Sequence, residues 1–176
     1  MDLFTLAAVN LVIGFFCASY FGIDFRRNPT QHYLLDLSVA GVVLFLQSTI
    51  QILRNSFDFP YFLGPALVNT LTLLFHFSVL SALYRLFQLE LRRAYLLIPI
   101  LLSYFLLLFP LFQHEQLHRF MLGFGMITLI NSICLLMLYR VKNDKFAGVI
   151  TFFKFVMLFN IFQTVLRTGL FVTGKY

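Results

Sequence analysis

Six long apolar stretches, separated by short polar links, occupy almost all of this 176-residue chain. They run over Leu3–Ile23, Tyr33–Leu53, Tyr61–Phe87, Ala94–Phe112, Phe120–Tyr139 and Val149–Val172. Each is close to the roughly 20 residues that a helix needs to cross a bilayer. Lipid offers the backbone no hydrogen-bond partners, so such stretches must satisfy their own and fold as helices. The expected fold class is therefore all-α integral membrane. The expected architecture is a compact bundle of six transmembrane helices, one polytopic membrane domain over 1–176.

Composition closes off most alternatives. With 60% hydrophobic and 11% charged residues, nothing is left over to surface a soluble domain. Phe is abundant at 24 residues and Trp is absent, which suits packing and lipid contact better than a flat polyene ligand. The first stretch is not expected to be a cleavable signal, because Met1-Asp2 supplies no basic leader and no small-residue cleavage site follows. Cys17 and Cys134 both fall inside apolar stretches, where a thiol behaves as a small hydrophobe, so no disulfide or metal role is assigned.

The net charge of +6 is explained by topology rather than by nucleic acid. Arg26, Arg27, Arg85, Arg92, Arg93, Arg140, Lys142 and Lys145 flank the odd-numbered links, and only Arg54, Arg119 and Lys175 lie on the other side. Basic residues favour the cytoplasmic side, so both termini are expected outside. Pro110 is expected to end or bend the fourth helix, whereas Pro65 and Pro99 fall in early turns. Gly14, Gly41, Gly64, Gly123 and Gly125 are expected to allow close helix contacts.

Polar residues inside the stretches carry what functional signal there is, because a bilayer makes them costly. Asn160, Gln163 and Arg167 follow at i, i+3 and i+7 and share a helix face. Gln47 and Gln51 share another, and Asn69 and Asn10 lie towards the same outer half. One reading is an outward-opening pocket for a small anionic ligand, with Arg167 as anchor and the amides as orienting groups. The competing reading is that the amides join helices while Arg167 snorkels to the interface. His76, seven residues after Asn69, belongs to the candidate ligand set. It has no facing histidine at similar depth for haem, and no cofactor is indicated. Asp36 and Lys154 sit near the cytoplasmic face, where each can snorkel or the two can pair.

His114-Glu115-Gln116-Leu117-His118 spells H-E-x-x-H, the spacing that places two zinc ligands and a general base on one helix face. Here it falls in a short link or at a helix start with no third ligand in position, and a polar surface loop is the preferred reading. No phosphate-cradling glycine loop, activated nucleophile or carboxylate pair is present, so the chain is not expected to be an enzyme.

Several local patterns carry a resemblance. Met1-Asp2-Leu3-Phe4-Thr5-Leu6 leads directly into the first helix, which ends on Arg26-Arg27. The third opens on Phe62-Leu63-Gly64-Pro65-Ala66-Leu67-Val68-Asn69 and closes on Leu80-Ser81-Ala82-Leu83-Tyr84-Arg85-Leu86-Phe87. Arg167 comes late in the sixth. Taken together, the chain resembles the membrane-embedded sensory region upstream of bacterial GGDEF diguanylate cyclase domains. That resemblance implies a signalling role in the bacterial cytoplasmic (inner) membrane, possible homodimers, and a cyclic di-GMP output made by a separate cytoplasmic domain. Such regions commonly have seven helices, whereas six are read here and no GGDEF motif occurs. Two functions thus stay open: a sensory or regulatory module, or an accessory subunit that binds other membrane proteins through Phe-rich faces. A small transporter ranks below both, because no internal repeat or mid-membrane acidic coupling site is found.

Overall fold

The structure is a computed structural model that describes residues 3–57, 60–88, 94–114, 116–141 and 147–173. Its elements are α1 (Leu3–Arg27), α2 (His32–Ser56), a π-helical turn (Phe62–Ala66), α3 (Leu67–Leu86), α4 (Ala94–Leu107), α5 (Pro110–His114), α6 (Gln116–Arg140) and α7 (Ala147–Val172). Among the described residues there is no strand. Among the described residues, four helical segments are long and apolar enough to cross a bilayer: Phe4–Arg27, His32–Arg54, Phe62–Leu86 and Leu117–Arg140. The chain is an integral membrane protein.

The fourth expected stretch is interrupted. α4 ends at Leu107, short of the expected Phe112. The reason is Pro110, which cannot donate and which forces its predecessor out of the helical region. The last turn tightens, with Leu108 N bonding Phe105 O and Phe109 N bonding Leu106 O, both at 3.1 Å. Pro110 then opens α5, the position where proline costs least. α7 spans Ala147–Val172, and within its described residues the apolar segment is Ile150–Leu166.

The chain divides into two compact units, Met1–Gln113 and His114–Tyr176. In the first, α1 and α2 form a tight antiparallel hairpin. Gly14, Ala18 and Gly22, each four apart, make one ridge of small residues on α1. A Cβ on Gly14 would lie 2.6 Å from Phe45 N, and one on Gly41 would collide with the backbone nitrogen of Ala18. Only hydrogen fits at these two positions, and the backbones touch. The same approach lets Ser38 Oγ donate to Ala18 O at 2.9 Å.

α3 packs on α2 and α4, and buries Leu73, Phe77, Leu80, Ala82 and Leu83. It closes with Gln88 at φ 55°, the left-handed capping position more often given to glycine. Tyr61 donates its hydroxyl to Phe112 O at 3.1 Å, tying the approach to α3 onto α5. The second unit is the α6–α7 hairpin, with Ile130, Cys134, Met137 and Leu138 buried on α6, and Ile150 and Met157 on α7. Several hydroxyls in both units bond within their own helix: Thr49 to Phe45 O, Thr70 to Ala66 O, Thr72 to Val68 O, Ser78 to Leu74 O and Thr164 to Asn160 O. This is how an apolar helix carries Ser and Thr without an outside partner.

Within the α6–α7 unit, a Cβ added at Gly123 or Gly125 meets nothing within 4 Å among the described residues, so neither makes the expected close contact there. Gly14 and Gly41 do make it.

Candidate functional site

The strongest polar feature of the first unit joins α2 to α3. Asp36, buried in the second turn of α2, accepts from Ser81 Oγ at 2.8 Å. Arg85 Nε stands 3.2 Å from the same carboxylate oxygen, and an Arg85 terminal nitrogen donates to His32 O at 3.0 Å. His32 and Asp36 are one turn apart on α2, as are Ser81 and Arg85 on α3, so the two polar pairs meet face to face. Lys154, in the second unit, lies over the Tyr139 ring, 4.3 Å from its centroid.

These contacts also set the register along the helices. Asp36 meets Ser81, so Gln47 and Asn69 lie at matching depth, about 17 and 18 Å further along the antiparallel pair. Gln51 comes one turn beyond Gln47. On α1, the Gly14–Phe45 and Ala18–Ser38 contacts bring Asn10 level with Gln47. Four sequence-derived candidates, Asn10, Gln47, Gln51 and Asn69, therefore gather towards the end of the unit opposite the Arg85–Asp36 pair. All four are half-buried. Among the described residues no hydrogen bond engages their side-chain amides.

His76 lies midway, about 8 Å along α3 from Ser81. Its Nδ1 is 2.9 Å from Thr72 O. A carbonyl only accepts, so Nδ1 carries the hydrogen and the ring is held within its own helix. Asn160, Gln163 and Arg167 belong to the second unit, on one face of α7. Asn160 and Gln163 are half-buried, and the Arg167 side chain lies outside the described residues. The eight candidates thus divide five and three between the two units.

Glu115 of the H-E-x-x-H pattern also lies outside the described residues, as do Arg92, Arg93, Lys142, Lys145 and Lys175. His114 ends α5 and His118 lies in the first turn of α6. Among the described residues no group of three or more His, Cys, Asp or Glu side chains is placed to hold a metal.

Two polar positions escaped the reading of the sequence. The Ser81–Asp36–Arg85 cluster was legible as i, i+4 polar pairs at adjoining ends of consecutive helices. Asn131, 2% exposed on α6, was legible as an amide in mid-stretch. Among the described residues its Nδ2 has no hydrogen-bond partner. No protein-family model, curated protein or solved structure matches this chain.

Proposed function

We propose that this chain is a membrane-embedded sensory or regulatory module of a bacterial cytoplasmic membrane, akin to the sensory regions that precede GGDEF diguanylate cyclases. In this reading the chain crosses the bilayer six times with both termini outside, as the basic residues favour. It takes a small ligand, or senses the membrane, in the outer half. The signal passes to a cytoplasmic output domain beyond these residues. One observation carries the proposal: Asn10, Gln47, Gln51 and Asn69 share a depth, half-buried, with no hydrogen bond among the described residues to their amides. An amide inside a bilayer demands a partner, and a polar ligand supplies one. Arg167, on α7 of the second unit, is proposed separately as an anion contact of that unit.

The test has two arms. The coding sequence downstream of Tyr176 is expected to contain a seventh apolar stretch and a cyclase; a stop codon removes the cyclase reading. In the fused protein, Gln47→Leu with Asn69→Leu, and separately Arg167→Ala, are expected to abolish signal-dependent output while leaving expression intact. If Arg167→Ala only lowers yield, that residue is structural. The second reading is an accessory subunit, favoured by exposed rings such as Phe15, Phe16, Phe152 and Phe155. Co-purification with a larger membrane complex in gentle detergent, together with unchanged output in the leucine variants, selects it.

A further inference from the structure

Lys154 is the eighth residue of α7, about 10 Å inside the helix start at Ala147. Tyr139 is the second-last residue of α6. With its ammonium 4.3 Å from the Tyr139 ring centroid, the lysine stem runs back towards the end of the hairpin, where a bilayer places its headgroups. The ring attracts the ammonium through its negative face but does not neutralise it. Among the described residues, no carboxylate pairs with Lys154 or with Arg140, which is exposed at the end of α6. Two positive charges thus stand at headgroup depth on one hairpin. Below them the surface is apolar: Leu136, three residues before Tyr139, is 65% exposed, and Leu158, four after Lys154, is 48% exposed. Residues three or four apart lie on one helix face, so each leucine continues the stripe of the group above it.

We infer that the α6–α7 hairpin holds an anionic phospholipid, its phosphate between Lys154 and Arg140 and its acyl chains along Leu136 and Leu158. Charge selects the headgroup: a phosphodiester without a compensating amine leaves a net negative charge for the two cations, whereas a zwitterion does not. The apolar stripe selects a lipid over free phosphate. Tyr139 acts as a positioning residue, holding the ammonium at headgroup depth.

The experiment is native mass spectrometry of the full chain, released from detergent containing equal amounts of phosphatidylglycerol and phosphatidylcholine with identical acyl chains. Wild type is expected to retain phosphatidylglycerol preferentially. Lys154→Gln and Arg140→Gln are each expected to lower that preference about fivefold, the worth of one basic group at a membrane surface. Lys154→Arg keeps the charge and should keep the preference, which separates loss of the site from loss of the fold. Arg54→Gln, in the other unit, should change nothing. Equal retention of phosphatidylglycerol by wild type and the Lys154→Gln, Arg140→Gln double variant overturns the inference. So does displacement of the lipid by inorganic phosphate as readily as by a short-chain phosphatidylglycerol.

Discussion

Replacing Gly41 by Ala tests the closest contact in the protein. A Cβ there would stand 2.9 Å from both Ala18 Cα and Gly14 O, and closer still to Ala18 N. All three are backbone atoms and none can rotate away. Ordinary contact begins near 3.4 Å, so α1 and α2 must part by about 1 Å along their seam. Overfilling of this kind costs about 1–3 kcal/mol. Parting the helices also stretches the Ser38–Ala18 bond, worth about 0.6 kcal/mol for an interhelical bond in lipid. Against this, alanine is favoured over glycine within a helix by about 1 kcal/mol. The net expectation is a loss of about 1–2 kcal/mol. Gly125→Ala carries the same helical gain and meets nothing within 4 Å, so it should be neutral or stabilising by up to about 1 kcal/mol. Both are measured by reversible unfolding of purified protein in mixed micelles of rising sodium dodecyl sulfate fraction, followed by far-ultraviolet circular dichroism. Equal stability of Gly41→Ala and Gly125→Ala would refute the account of the α1–α2 seam.

Two further outcomes are expected in the same assay. Asp36→Leu strands the Arg85 guanidinium, whose side chain is 28% exposed; the cost should be about 1–3 kcal/mol, below the 3–5 of a fully buried pair because water screens part of the charge. Adding Arg85→Met should recover most of it, whereas strictly additive losses would show that the two side chains are not coupled. Asn131→Leu removes a buried amide nitrogen that has no partner among the described residues, and should be neutral or stabilising by about 1 kcal/mol; a loss beyond about 1 kcal/mol would mean that the amide is held by a group at that site.

The helices themselves were legible because lipid leaves the backbone one solution. Unbroken apolar runs announce that solution without any knowledge of neighbours. The ends were less legible. α1 runs to Arg27 rather than Ile23, and α6 starts at Gln116 rather than Phe120, since polar residues continue a helix once it leaves the hydrocarbon. Pro110 announced the break after α4, but not that the helix would end at Leu107.

Within the candidate site, the sequence alone determined which amides lie in apolar stretches and which share a helix face, because helical periodicity is local. Common depth is not local. It depended on Asp36 meeting Ser81 and on Gly14 and Gly41 letting α1 close on α2. By sequence, Gly123 and Gly125 look as suited to close packing as Gly14 and Gly41, yet within their own hairpin no described atom lies within 4 Å of an added Cβ. The partners of Asp36 and Lys154 were likewise undetermined until the hairpins were folded. A charge in lipid accepts any opposite charge, carbonyl or ring within reach, and reach is fixed by how the helices pack rather than by where the residues fall in the chain.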